Sequence, residues 1–153
     1  MAENNTLPVG CVIMASGLSK RFGSNKLLAD FGGQPLLCRA LAATDTPELA
    51  ARVVVTRSPE VQALCESRGV PCLLHALPGR KDTVRLGLEA LLEKRPDLAG
   101  CMFLPGDQPL LQQYTVESMV GIFGWHARTD AERGVPQKET ERVIFRLAWR
   151  AKN

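Results

Sequence analysis

Residues 9–15 read VGCVIMA and lead directly into residues 16–28, SGLSKRFGSNKLL. The first stretch is a continuous apolar run, which is typical of a strand buried on both faces of a parallel sheet. The second stretch is rich in glycine, serine and positive charge. Because ligands of parallel α/β folds bind beyond the carboxyl ends of the strands, these two segments predict an α/β protein with a ligand site in its first loop.

Strand-like and helical patterns alternate along the rest of the chain. Apolar runs predict further strands at 52–56, 70–75 and 101–104. Capping and proline signals predict helices that begin at Pro35, at Ser58-Pro59, at Asp82 or Thr83, and at Thr115. This order predicts a three-layer α/β/α sandwich with a mostly parallel, Rossmann-like sheet, because parallel strands need crossover connections.

We expect one α/β domain over residues 1–122 and a divergent tail over residues 123–153. The last helix of the domain is predicted to end at about Ile122. The tail is polar and carries the whole excess of positive charge, with seven Lys and Arg against four Asp and Glu. A helix is predicted at about 141–151, because apolar residues recur there at four-residue spacing.

Composition argues against several classes of protein. A mildly basic tail on a neutral body, with 5% aromatic residues, is not the pattern of nucleic-acid binding. We expect a soluble cytoplasmic protein that contacts no membrane, because there is no signal peptide and no apolar run near the roughly 20 residues that span a bilayer. The five cysteines include no C-x-x-C pair and the two histidines lack metal-ligand spacing, which predicts reduced thiols and no zinc site.

The loop after the first strand has the composition of a phosphate site. Gly17 and Gly23 permit tight turns and a close approach of backbone amides to a ligand, while Ser16 and Ser19 add hydroxyl groups. Cations at 20, 21 and 26 supply the charge that a polyphosphate needs. The spacing is neither that of a Walker A loop nor that of G-x-G-x-x-G, and a glycine-rich surface loop with solvated charges is the competing interpretation.

A second unusual loop follows the fourth predicted strand, where residues 103–111 read FLPGDQPLL. Asp107 leaves the end of that strand, with a glycine before it. An acidic side chain that faces a phosphate loop is well placed to bind Mg²⁺, whereas a lone Gly-Asp more often forms an Asx-type turn. We favour the magnesium site, because both loops lie at the same edge of the predicted sheet.

These loops resemble the signatures of the MobA-like NTP transferases. The run VIMASGLSKRFGSNKLL at 12–28 is similar to the family pattern L-A-A-G-x-S-x-R-F/M-G-x-x-K, and G-D-Q-P at 106–109 matches its second signature. A third match is PGRKDTVRLGLEAL at 78–91, where Thr83 and Gly87 fill the family's Ser/Thr and small-residue positions. The likeness is closest to the molybdenum cofactor cytidylyltransferases and covers about residues 9–122, which would make that region a nucleotidyltransferase domain.

The resemblance implies a set of site residues. Arg21 would hold the β- and γ-phosphates, Lys26 would neutralise the α-phosphate as it is attacked, and Asp107 would carry the catalytic magnesium. The backbone amides of the first loop would lie along the triphosphate, and Thr83 would be near the ribose or base. Thr56 is predicted to line the base pocket, because it ends the second predicted strand. The predicted nucleotide-binding residues are Ala15, Ser16, Gly17, Leu18, Ser19, Gly23, Thr56 and Thr83.

The activity that the resemblance implies is Mg²⁺-dependent transfer of CMP from CTP to a molybdopterin-type acceptor, with release of pyrophosphate. Ser16 stands where cytidylyl members commonly have alanine and guanylyl members glycine, so guanylyl transfer from GTP remains open, as does transfer to a sugar or polyol phosphate. The family's second acidic metal ligand is missing from the matched region, so we expect a C-terminally truncated member with weak or no activity and a tendency to self-associate. An inactive nucleotide-binding relative that acts through a partner is the alternative of another class.

Overall fold

The computed structural model describes residues 7–17 and 25–133. Its strands are β1 (Val9–Ala15), β2 (Asp30–Phe31), β3 (Gln34–Pro35), β4 (Ala51–Thr56), β5 (Cys72–Leu74) and β6 (Gly100–Pro105). Its helices are α1 (Leu37–Ala43), α2 (Pro59–Ser67), α3 (Arg80–Lys94) and α4 (Gln113–Arg133), and a short 3-10 turn spans Lys26–Leu28.

Four of these strands form one parallel sheet in the order β5-β4-β1-β6. β1 lies inside the sheet, with β4 on one side and β6 on the other, and all but one of its residues are buried. A central parallel strand is covered on both faces, which explains why VGCVIMA lacks polar alternation. Helix α3 packs against β1 and β4, α2 packs against β4 and β5, and α1 contacts α4. The predicted α/β fold with a mostly parallel sheet is therefore confirmed.

The first predicted helix begins later than its proline suggests. Pro35 is the last residue of β3, which pairs with β2 across a turn at Gly32 and Gly33. Both glycines have positive φ angles, 66° and 91°, which is the backbone conformation that residues with a Cβ rarely adopt. Proline is tolerated in this two-stranded hairpin because an edge position needs no backbone donor. The helix therefore starts at Leu37 rather than at Pro35.

Helix α2 follows its sequence signals, whereas α3 begins about one turn before its predicted start. The Ser58 hydroxyl accepts a hydrogen bond from the Val61 amide at 3.2 Å, as an N-cap serine should. In α3 the capping position is Gly79, not Asp82 or Thr83. The Asp82 carboxylate lies in the first turn and accepts a hydrogen bond from the Gly79 amide at 3.1 Å. This contact from inside the helix satisfies the backbone amide of the capping residue itself.

Helix α4 continues well past its predicted end at Ile122. It runs to Arg133 and crosses the predicted boundary at residue 122 without a break. Phe123 is completely buried in the hydrophobic core, so apolar packing holds this part of the helix in place. The helix predicted at 141–151 lies outside the described residues. None of the described helices combines the length and the apolar character needed to cross a membrane.

Gly87 sets how closely α3 approaches the sheet. A Cβ atom at this position would lie 2.6 Å from Val12 Cγ1 and 3.0 Å from Val55 Cγ2, well inside normal contact distance. Packing against Val12 and Val55 therefore explains why this position, which matches a small-residue position of the family, needs a small residue. The close approach also brings the first turn of α3 to the carboxyl ends of β1 and β4.

We expect Gly87→Ala to lower the free energy of unfolding by about 1–3 kcal/mol, because the new methyl group overpacks the interface with Val12. Gly121→Ala in α4 is the matched control, since no atom lies within 4 Å of a Cβ built there. That control should be neutral or stabilising by up to about 1 kcal/mol, because alanine favours a helix over glycine. Urea unfolding of both variants measures the difference, and equal effects would contradict the packing argument.

Candidate functional site

A cavity of about 380 Å³ opens beyond the carboxyl ends of β1 and β6. These two strands are neighbours in the sheet but far apart in sequence, and the strand order reverses between them. Parallel α/β folds bind ligands at this kind of switch point, because the loops leave the sheet in opposite directions and open a crevice. The cavity is lined by Met14, Ala15, Ser16, Gly17, Lys26, Leu27, Pro78, Gly79, Arg80, Thr83, Pro105 and Asp107.

Lys26 and Asp107 form an ion pair in the lining of this cavity. The Lys26 Nζ atom lies 3.3 Å from Asp107 Oδ2, and both side chains are about two-fifths exposed. Lys26 opens the 3-10 turn that Asn25 caps, through a hydrogen bond from the Leu27 amide to Asn25 Oδ1 at 2.9 Å. The two loops picked out in the sequence therefore converge on one site, with a cation and a carboxylate in reach of the same ligand.

Gly106 brings Asp107 to the cavity. The Gly106 amide donates a hydrogen bond to the Met14 carbonyl at 2.9 Å, which holds the loop after β6 against the end of β1. A Cβ atom at Gly106 would lie 3.0 Å from Leu37 Cδ1 and 3.3 Å from the Met14 oxygen. Only a residue without a Cβ lets the loop after β6 come this close to Leu37 and Met14, which explains the glycine before the predicted metal ligand.

Thr83 lies in the cavity wall with an unsatisfied hydroxyl. The residue is 2% exposed, and its Oγ1 makes no hydrogen bond to any part of the chain that the structure describes. A buried hydroxyl without a partner costs about 1–3 kcal/mol, so such groups commonly mark a site where a ligand or water completes the bonding. This observation distinguishes Thr83 from a simple helix cap.

Thr56 does not line the cavity, although the sequence places it near the nucleotide. It is completely buried, donates a hydrogen bond to the Ala15 carbonyl at 2.9 Å and accepts one from the Ser58 amide at 3.1 Å. Both capacities of its hydroxyl are thus used within the fold. Through its bond to Ala15, Thr56 joins the end of β4 to the end of β1, the strand that leads into the first loop.

The structure brings together six of the predicted site residues. Of the predicted positions, those that line the cavity are Ala15, Ser16, Gly17, Lys26, Thr83 and Asp107. The predicted positions Leu18, Ser19, Arg21 and Gly23 lie outside the described residues.

Sequence reasoning missed two residues of this region, Arg80 and His75. Arg80 begins α3 and lines the cavity, and it belongs to the stretch PGRKDT that carries the third family match. That match assigns family positions to Thr83 and Gly87 alone, although Arg80 lies in the same stretch and its charge at the start of a helix favours a phosphate site. His75 contacts Ser16, with Nε2 at 2.9 Å from the serine Oγ. A histidine without metal-ligand spacing carries no motif, so nothing in the sequence identified it.

The charges on the cavity wall favour an anion with a bound hard cation. Among the described lining residues, Lys26 and Arg80 are cationic and Asp107 is the one carboxylate. No group of three or more potential metal ligands occurs in the described part of the chain. A single carboxylate fits Mg²⁺ nevertheless, because this ion keeps several waters and takes further oxygens from substrate phosphates.

Fold and site together define an α/β domain with a cavity at the switch point of a parallel sheet, whose described lining includes two cations and one carboxylate. The chain belongs to the MobA-like NTP transferase domain family, whose model matches residues 11–152. That match extends beyond residue 122, where the recognisable resemblance in the sequence ends.

Three known proteins illustrate the relationship. The 3-deoxy-manno-octulosonate cytidylyltransferase of Polynucleobacter asymbioticus is 31% identical over 110 residues, which are 69% of this chain and 43% of that protein. Rv0371c from Mycobacterium tuberculosis H37Rv has a TM-score of 0.65 at 21% identity, covering 78% of this chain and 62% of that one. CMP:2-keto-3-deoxy-manno-octonic acid synthetase complexed with CTP has a TM-score of 0.55 at 18% identity, covering 76% and 46%. The chain thus spans less than half the length of the curated relative.

Proposed function

We propose that this domain transfers a nucleotidyl group, CMP from CTP, in a Mg²⁺-dependent reaction that releases pyrophosphate. The observation that carries the proposal is the ion pair between Lys26 and Asp107, at 3.3 Å, in the lining of the cavity at the switch point. A cation for phosphate oxygens and a carboxylate for a hard metal ion are what a bound metal–triphosphate complex requires. Family membership adds the expectation that the ligand is a nucleoside triphosphate.

The choice of CTP rests on the relatives. The curated relative is named a cytidylyltransferase, and one structural neighbour is complexed with CTP. The resemblance to molybdenum cofactor cytidylyltransferases in the first loop supports the same nucleotide. GTP is the alternative, because Ser16 differs from the residues that both branches of that group commonly carry.

Two acceptors are supported by different observations. The first-loop signature resembles that of enzymes that act on the molybdenum cofactor, so a molybdopterin-type acceptor is the first candidate. The curated relative is named for 3-deoxy-manno-octulosonate, which supports a sugar acid as the second. In either case an acceptor oxygen bonds to the α-phosphorus, the bond from this phosphorus to the bridging oxygen breaks, and pyrophosphate leaves.

The side chains of the cavity would position and neutralise the triphosphate. Asp107 would hold Mg²⁺, which supplies charge neutralisation to the phosphate oxygens. Lys26 exchanges its carboxylate partner for a phosphate oxygen and stabilises the charge that develops on the α-phosphate. Arg80 adds a second cation to the cavity wall, and the Thr83 hydroxyl donates to the ribose or base. Positioning and charge neutralisation together supply most of the rate in phosphoryl-type transfer.

A nucleotide panel and a turnover assay test the proposal. The first step is calorimetric titration of CTP, GTP, UTP and ATP with Mg²⁺, in which CTP should bind most tightly. The second step is pyrophosphate release with CTP and either molybdenum-loaded molybdopterin or 3-deoxy-manno-octulosonate. Release with one acceptor identifies the substrate. Absence of triphosphate binding, or binding that is equal for phosphate-free nucleosides, would refute the proposed function.

Thr56 and Thr83, both buried, should respond in opposite ways to the same substitution. Thr83→Val removes an unsatisfied hydroxyl, so the free energy of unfolding should rise by up to about 1 kcal/mol, while CTP affinity falls about three- to tenfold. Thr56→Val removes a hydroxyl that makes two buried bonds, so the protein should lose about 1–3 kcal/mol of stability. Thermal unfolding and calorimetry measure both quantities. A stability loss at Thr83 with unchanged CTP affinity would contradict its place in the binding site.

A further inference from the structure

His75 joins two segments that both line the cavity and are far apart in the sequence. Its Nε2 atom lies 2.9 Å from the Ser16 hydroxyl oxygen, at the end of β1. Its Nδ1 atom accepts a hydrogen bond from the Leu77 amide at 3.1 Å, in the segment that leads to Pro78 and Gly79. Ser16 also donates to the Val55 carbonyl at 3.3 Å. The imidazole therefore bridges the first loop and the segment 75–79.

These contacts define one protonation state of the imidazole. Because Nδ1 accepts from the Leu77 amide, it carries no proton, and the neutral ring must hold its proton on Nε2. Nε2 then donates to the Ser16 oxygen, whose own proton goes to Val55. All three bonds are consistent only with this tautomer. A second proton on the ring would place an N–H group against the Leu77 N–H and break that bond.

We propose that neutral His75 is a positioning residue that clamps Ser16 to the segment 75–79 and thereby holds the nucleotide cavity in its binding shape. The inference rests on the proposed function, and it assigns to His75 a contribution of the protein to the pH dependence of nucleotide binding. His75 is not itself among the residues that line the cavity. It acts through Ser16 and through the segment that contains Pro78 and Gly79, all of which line the cavity.

The charges around the ring favour the neutral form. Partial burial and the nearby Arg57 guanidinium lower the pKa of His75 below its ordinary value of 6.5, against a smaller opposing effect of Asp82. Arg57 also donates to the Leu77 carbonyl at 3.1 Å, so it belongs to the same segment. Since the pKa is lowered on folding, the clamp is complete above about pH 6.5, and it loses its bond to the Leu77 amide as the pH falls through the lower, folded value.

The experiment combines imidazole spectroscopy with nucleotide titration. Long-range ¹H–¹⁵N NMR of the nucleotide-free chain should show His75 wholly as the Nε2–H tautomer at pH 7.5, with its signal assigned by its loss in His75→Gln. His126→Gln, the same change on α4, is the matched control and should leave it in place. Calorimetry with CTP and Mg²⁺ should give affinities about three- to tenfold weaker for His75→Asn and Ser16→Ala, with no further loss in the double variant.

The pH profile separates positioning from general structural support. Glutamine can reach Ser16 as Nε2 does but does not titrate, so His75→Gln should keep part of the affinity and lose the fall below about pH 6.5. The terminal phosphate of CTP titrates in the same range, so the ratio of the two proteins' affinities is the quantity compared. A CTP affinity that His75→Asn and Ser16→Ala leave unchanged, or a ratio that is independent of pH, would overturn this inference alone. Failure of the unaltered chain to bind CTP would instead overturn the proposed function.

Discussion

Lys26→Ala is expected to weaken CTP binding about ten- to a hundredfold and cytidine binding much less. A charge-assisted bond to phosphate contributes about 1.5–3 kcal/mol, and each 1.4 kcal/mol is tenfold in affinity. CTP presents several charged phosphate oxygens to the cavity, whereas the nucleoside presents none. The substitution also leaves Asp107 without its cation at 3.3 Å, which adds repulsion toward any phosphate.

The control for this experiment is Lys94→Ala. Lys94 is exposed at the last turn of α3, the end of the helix opposite to Gly79 and the cavity. Lys94→Ala removes the same charge and the same aliphatic side chain as Lys26→Ala, but at a position away from the cavity. Calorimetric titration of CTP and cytidine against the three proteins measures the effect. Equal losses for CTP and cytidine, or equal effects of the two lysines, would contradict the assigned role of Lys26.

Asp107→Asn is expected to abolish the metal dependence of the protein while leaving the fold intact. Asparagine keeps the size and hydrogen bonding of the side chain but loses the charge that holds a hard cation. Turnover with Mg²⁺ should fall on the order of a hundredfold or more, because metal neutralisation of phosphate charge contributes several kcal/mol. Unfolding temperature should change little, since the aspartate is partly exposed and its ion pair with Lys26 is weak.

The sign of the effect on binding distinguishes this role from a structural one. Without metal, Asp107 repels phosphate and competes for Lys26, so Asp107→Asn should bind CTP as tightly as the unaltered protein or more tightly. With Mg²⁺ the order should reverse. Asp97→Asn is the control, because Asp97 is an exposed carboxylate paired with Arg95 beyond the far end of α3. A variant that unfolds, or one that still gains affinity from Mg²⁺, would show that Asp107 is a turn residue.

The bounds of secondary structure were predicted correctly where the residue types themselves carry the signal. The run Val9–Ala15 is a strand with the predicted bounds, because a sheet interior imposes its apolar character on every residue. Ser58 caps α2 as its position before a proline indicates. Pro35 and Ile122 misled because each signal was overridden by packing: a glycine turn pairs β2 with β3, and Phe123 is buried in the core.

The sequence by itself determined the class of fold, the family and the two loops that carry charged site residues. These follow from residue type and order, which need no knowledge of distant contacts. Only the tertiary structure decided which residues meet. It paired Lys26 with Asp107, 81 positions apart, buried Thr56 behind the site and left the Thr83 hydroxyl without a partner among the described residues. It also brought His75 to Ser16, because β5, which ends just before His75, pairs in parallel with β4, and β4 pairs in parallel with β1. Such contacts depend on strand order and register, which no local pattern encodes.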